Sequence, residues 1–198
     1  MANTHKTVHD TINRVMHVRY KRRKVLPFMS SSRYTRDLLP ELFRSLDFKV
    51  GAEIGVQRGK YSEKLCKGNP ELKLHAIDPW KSYNSISQGT HDLRYAQAMK
   101  RLSPYNVNAI RKTSMEALND FEDRSLDFVY IDGNHDYDYV CMDIIHWSKK
   151  VKSGGIIACH DYHTAQVGKA IDGFVYCHVI RPWYILQEAL STAYWVNP

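Results

Sequence analysis

From residue 50 onward the apolar positions change their period repeatedly. Short apolar runs at 50–56, 72–77, 107–110, 126–131 and 156–159 read as strands. Between them, 60–67, 92–102, 114–119, 136–150 and 164–173 carry helical spacing. The pattern is clearest in 136–150, where Val140, Ile144, Trp147 and Val151 recur every three or four positions. Gly68, Asn69 and Pro70 stop the first of these helices, and Gly154-Gly155 marks the turn before the fifth strand. The aromatic-rich end closes with a strand at 192–196.

Residues 1–49 have another pattern. The spacing of Val8, Ile12, Val15 and Val18 predicts a helix over 7–20. A basic run, Lys21-Arg22-Arg23-Lys24, then Pro27 and Ser30-Ser31-Ser32 break it. Leu38, Leu39, Leu42, Phe43 and Leu46 predict an amphipathic helix over 36–47 that packs on the main domain. The chain thus divides into a basic arm with a helix, 1–49, and an α/β domain, 50–198. Strand–helix alternation calls for a parallel sheet with helices on both faces. Ligands of such sheets bind beyond the carboxyl ends of the strands, near the point where strand order reverses. Glu53, Asp78, Asp132 and the pair His160-Asp161 all fall at or just before predicted strand ends.

Composition narrows the classes. At 198 residues and 43% apolar, the chain has enough material for one core without disulfide or metal staples. The formal charge is +7, and all of it lies in 1–49, where 11 Lys/Arg face 4 Asp/Glu. The rest carries 17 of each, so a uniformly basic nucleic-acid coat is excluded. No apolar run approaches the roughly 18 residues that span a bilayer, and the start of the chain has no apolar leader. The four cysteines, 66, 141, 159 and 177, form no CxxC pair and read as reduced thiols of a cytoplasmic protein.

Four motifs carry the chemistry. Gly51, Gly55 and Gly59 make a turn after the first strand that lets backbone approach a ligand. Glu53 replaces the second glycine of a dinucleotide fingerprint, and an acid there suits an ammonium better than a pyrophosphate. Asp78, at the end of the next strand in Ile77-Asp78-Pro79-Trp80, is placed to accept ribose hydroxyls. Asp132 comes directly after the strand 126–131 and precedes Gly133, while Asp161 comes just after 156–159. If those strands are neighbours, their ends lie about 4.8 Å apart. Asp132 and Asp161 are then placed to share a divalent cation, with His160 as third ligand. The alternatives are that Asp132 serves the cofactor and that His160, adjacent in the strand, points to the other face and packs.

Together these motifs resemble the class I S-adenosylmethionine-dependent methyltransferases over about 50–196. Within them they are most similar to the metal-dependent O-methyltransferases that include macrolide-sugar and, more distantly, catechol enzymes. The matching residues are Glu53-Ile54-Gly55 with Gly59, Ile77-Asp78-Pro79-Trp80, Ile131-Asp132-Gly133 with His135 and Tyr137, Gly154-Gly155, and His160-Asp161-Tyr162. The resemblance implies a Rossmann-like, doubly wound, mostly parallel sheet of seven strands. It implies cofactor contacts from Glu53, Gly55, Gln57, Gly59, Asp78, Ser114, Met115 and Asp132. It also implies magnesium or manganese at Asp132 and Asp161, and His135 as general base with Asp132 beside it. One departure stands out: an imidazole, His160, precedes Asp161 where relatives carry an acid or amide, and imidazole suits softer ions than magnesium. The implied reaction is O-methylation of a small hydroxylated acceptor, with the aromatic-rich loops 80–95 and 174–187 and the arm shaping its pocket. Two alternatives remain open. The basic arm suits an RNA acceptor, and a non-catalytic cofactor-binding or interaction module, including a homo-oligomer contact, would use the same fold.

Overall fold

The computed structural model describes residues 2–17, 27–29, 34–83 and 85–198. Among them, eight strands form one sheet in the order β1-β7-β8-β6-β5-β2-β3-β4. These are β1 (Phe28–Met29), β2 (Val50–Ile54), β3 (Lys73–Ile77), β4 (Val107–Ile110), β5 (Leu126–Ile131), β6 (Val151–Cys159), β7 (Trp183–Leu186) and β8 (Thr192–Val196). Every pairing is parallel except those of β8, which runs antiparallel to both β6 and β7. The helices are α1 (Ala2–Val15), α2 (Leu39–Ser45), α3 (Lys60–Gly68), α4 (Gln88–Leu102), α5 (Ser114–Ala117), α6 (Tyr137–Lys150) and α7 (Ala165–Cys177).

The doubly wound fold is as expected, with eight strands in place of seven. Hydrophobic periodicity gives no sign of β1 and β7: β1 is two residues long, and β7 buries all four of its side chains, so neither shows an alternation. The helix predicted over 7–20 stops at Val15, and the basic run 21–24 lies outside the described residues. Gly154-Gly155 falls inside β6, where pairing with β5 shifts register between Leu126 and Phe128. A Cβ on Gly155 would sit 2.4 Å from the Asp127 carbonyl oxygen, so a glycine is required there. Parts of the segments 80–95 and 174–187 belong to regular elements, because Ser87 caps α4 early, α7 continues to Cys177 and β7 runs from Trp183. Trp80, Trp183 and Tyr184 are buried in the core; Tyr83 and Tyr176 face solvent.

Burial on both faces explains why β5 reads as a continuous apolar run. Val129 and Ile131 pack under α6 and α7 with Ile144, Trp147 and Ile171. Phe128 and Tyr130 point the other way, into a cluster with Leu42, Phe43, Leu65 and Tyr194. Val8, Ile12 and Val15 of α1, with Met16 just after it, belong to that second cluster, so the N-terminal helix completes one face of the core. No helix of the described residues is long and apolar enough to cross a membrane. The chain passes outward from β2 through β3 to β4, then returns to lay β5 on the other side of β2. The strand order therefore reverses between β2 and β5, and that crevice holds the candidate site.

Candidate active site

The carboxyl ends of β2 and β5 approach closely. The Asp132 N–H donates to the Ile54 carbonyl at 2.8 Å, and Gly55 N–H donates to the Ile77 carbonyl at 2.9 Å. Gly55 has φ +89°, and a Cβ on it would lie 1.9 Å from the Asp132 carbonyl oxygen. The space under Gly55 is thus filled by backbone, which brings the two loops together. Gly59 has φ +69°, and its missing side chain makes room for Leu102 and Ala98 of α4. Between them, the Gln57 N–H donates to Asp78 Oδ2 at 2.9 Å, and the Trp80 N–H to Oδ1 at 2.7 Å. Asp78 so ties the end of β3 to the turn after β2, with acceptor capacity left on both oxygens.

Glu53 is buried and accepts a hydrogen bond from the Ser62 hydroxyl. Burial pushes its carboxyl up to about 8, against the Ser62 bond, which favours the ionised form. Ser114 begins α5, whose start is fixed by a capping box of Thr113 and Glu116. Its hydroxyl donates to buried Asp143 and accepts from Trp147 Nε1 at 2.7 Å. Burial pushes Asp143 up to about 6. Met115 is half-buried against the same core.

The strongest cluster lies on the β5–β6 side. Ile131 pairs with Cys159, so Asp132 and His160-Asp161 leave adjacent strands side by side. Asp132, His135 and Asp161 each offer a ligand atom, all within 4.8 Å of one another. His135 Nε2 lies 3.1 Å from Asp161 Oδ2 and 3.6 Å from Asp132 Oδ1. His160 Nδ1 lies 3.5 Å from Asp132 Oδ1 and 3.3 Å from Asp161 Oδ2. Strand alternation would separate His160 from Asp161, but Asp161 has φ +58°, a left-handed conformation that breaks the alternation. The two imidazoles differ in access: His135 is 51% exposed and His160 only 4%. Both His160 ring nitrogens are buried, and among the described residues neither has a partner in hydrogen-bond geometry. Burial works to lower the His160 pKa, yet the carboxylates of Asp132 and Asp161 carry it up to about 9. Burial works to raise Asp132 and Asp161, and the neighbouring imidazoles hold both below the usual carboxylate range.

Two carboxylate oxygens with imidazole nitrogens make a donor set for a borderline divalent ion such as manganese, zinc or iron. His160 Nδ1, within 3.5 Å of an oxygen of each carboxylate, faces the same space and fits the donor set once the ring is neutral.

One residue at this site carries no sequence signal. Arg36, from a short 3-10 turn at Arg36–Leu38, lies 3.6 Å from Asp132 Oδ2 through Nη1. It stands almost a hundred positions before Asp132, in a segment read only as an amphipathic helix.

The family model described as "Methyltransferase domain" matches residues 52–162, more than half the chain. The uncharacterised protein y4gI of Sinorhizobium fredii is 24% identical over 152 residues, covering 74% of this chain. The chain spans 17% of the length of that relative. Three solved structures share the fold over 98% of the chain. One, from Staphylococcus aureus, carries a provisional assignment as a caffeoyl-CoA O-methyltransferase (TM-score 0.64, 14% identity, 92% of its own chain). The second is cofactor-bound Rv0187 of Mycobacterium tuberculosis (0.62, 13%, 89%). The third is an O-methyltransferase of Bacillus cereus in complex with SAH (0.60, 14%, 90%). At these identities the likeness is one of fold.

Proposed function

The chain belongs to the methyltransferase-domain family, whose methyl donor is S-adenosylmethionine, and we propose that it methylates an oxygen of a small hydroxylated acceptor with the help of a divalent cation. The observation that carries this reading is the convergence of Asp132, His135 and Asp161, with His160 beside both carboxylates, at the carboxyl end of β5 and β6, beside the strand-order reversal. A methyl transfer needs little more from the protein than an aligned nucleophile and a place for its proton.

In this reading the turn 55–59 would hold the cofactor. Glu53 would pair with its ammonium group, and Asp78 would offer its remaining lone pairs to the ribose hydroxyls. Gly55, Gln57 and Gly59 would contribute the backbone of that turn, and Ser114 and Met115 would serve the base. The sulfonium supplies an electrophilic methyl group. Asp132 and Asp161 would hold the cation, with His160 completing the set from the buried side; the cation would supply a lowered pKa at the acceptor hydroxyl. His135, the exposed imidazole, then receives the proton, and Asp161, 3.1 Å from Nε2, stabilises the imidazolium that forms. The O-methyltransferase names of the structural relatives from S. aureus and B. cereus agree with this reading.

The experiment is methyl transfer from labelled S-adenosylmethionine to a panel of catechols, phenols and hydroxylated sugars, with and without chelator. We expect turnover on at least one class. Chelation should reduce it strongly, and manganese should restore it better than magnesium. His135→Ala should lower kcat by roughly 10²–10⁴-fold, the usual worth of a general base. Chelator-insensitive turnover would remove the cation and leave His135 acting alone.

A further inference from the structure

Arg36 is held at more points than a surface arginine needs. Nη1 donates to the hydroxyl of fully buried Tyr130 at 2.9 Å. The guanidinium lies 4.9 Å over the Tyr61 ring, and the Tyr61 hydroxyl donates to the Arg36 carbonyl at 3.0 Å. Glu188 accepts from the Arg36 N–H at 3.1 Å, stands 3.9 Å from Nε, and is itself fixed by the Thr192 hydroxyl at 3.0 Å. These anchors aim a permanent cation at one oxygen of the site. Asp132 is divided between two groups: Oδ1 faces His135 and His160, while Oδ2 faces Arg36.

A guanidinium cannot give up its charge, and it is less strongly hydrated than an ammonium, so it serves well beside a partly buried carboxylate such as Asp132. It also has the same sign as a divalent ion. We propose that Arg36 is a positioning residue that holds Asp132 Oδ2, leaves only Oδ1 to a divalent cation, and keeps the affinity of the site for that cation low. The proposal rests on the reading of Asp132 and Asp161 as cation ligands. Without a cation, Arg36 offsets one of the two carboxylate charges and keeps Asp132 in place. With one, it opposes the ion through space. Its stacking on Tyr61 and its tie to Glu188 keep it from swinging away. An acidic or neutral side chain at position 36 would instead leave both Asp132 oxygens to the ion.

The test is manganese binding to the full chain by titration calorimetry, at fixed ionic strength and without cofactor. Arg36→Gln should bind manganese at least roughly tenfold more tightly than wild type, since like charges a few ångströms apart interact strongly at protein permittivity. Arg36→Lys, which restores the charge, should stay within about threefold of wild type on the same grounds. A cooperative thermal transition shows that each variant is folded. Equal or weaker binding by folded Arg36→Gln would overturn the proposal, and so would equal tightening in Arg36→Lys. Should Arg36→Gln fail to fold, Arg36→Met, which keeps a long side chain over Tyr61 without the charge, decides by the same criterion. A separate outcome sinks the cation reading itself: neither wild type nor Arg36→Gln binds manganese at millimolar concentration.

Discussion

Glu53 shows how one buried carboxyl can report on binding. With its pKa near 8, it is mostly protonated at neutral pH in the free protein. An ammonium brought beside it favours the carboxylate, so binding should release a proton. We expect the calorimetric enthalpy of S-adenosylhomocysteine binding at pH 7 to differ between phosphate and Tris buffers, with release approaching one proton. The release should fade above pH 9, where Glu53 is already ionised, and vanish in Glu53→Gln. A buffer-independent enthalpy in the wild type would place the ammonium elsewhere. Asp143 offers a purely structural counterpart. Burial raises it from 3.8 to about 6, so the folded state holds this proton more tightly than the unfolded chain. Its contribution to stability therefore falls as pH rises from about 4 to about 6 and stays low above that. Asp143→Asn keeps an acceptor for the Ser114 hydroxyl and loses the charge. Urea unfolding should show the variant gaining on wild type across that window, by about 1–3 kcal/mol at pH 7. Parallel curves for the two proteins would mean that Asp143 titrates normally.

Elements deliver these side chains, and the strand ends are where sequence and structure agree best. The boundaries of β4, β5 and β8 coincide with the apolar runs, because each is flanked by polar or turn residues. Asp78, Asp132 and Asp161 could be placed at strand ends for the same reason. What periodicity could not reach was the contact between elements distant in sequence. Arg36 meets Asp132 only because a 3-10 turn capped by Thr35 lies across the carboxyl edge of the sheet. His160 and Asp161 share a site because of one left-handed residue, which no hydropathy pattern encodes. The glycines in turn reveal their purpose only in three dimensions. Gly55→Ala would drive a Cβ to 1.9 Å from the Asp132 carbonyl, in a φ region unfavourable to alanine. The loops after β2 and β5 would have to part. We expect a loss of at least about 3 kcal/mol in chemical denaturation, at the upper end for single substitutions. Gly173, with open space around its missing Cβ, is the control: Gly173→Ala should be neutral or slightly stabilising, since it lies within α7.

At the scale of the whole molecule, the basic N-terminal segment and the catalytic sheet are mechanically joined. Ile12 and Met16 are fully buried among Leu42, Phe43 and Tyr194, and His9 Nδ1 lies 3.3 Å from the Tyr184 hydroxyl of β7. Arg36 then carries the same segment to the site. Truncating the chain to ask whether its basic run binds RNA would therefore remove part of the core along with the charge. Ile12→Ala should cost about 2–5 kcal/mol in urea unfolding, the usual range for emptying a fully buried aliphatic site. Removing residues 1–17 should cost more, and should lower the denaturant dependence as well, because less surface is buried on folding. The charge question needs a gentler change. Replacing Lys21, Arg22, Arg23 and Lys24 together by serine leaves α1 and Arg36 in place. With a small-molecule acceptor, that variant should melt with the wild type and keep its kcat and KM. An RNA acceptor would instead show itself as a steep loss of binding with salt in the wild type and a shallower salt slope in the variant, because each neutralised phosphate releases counterions.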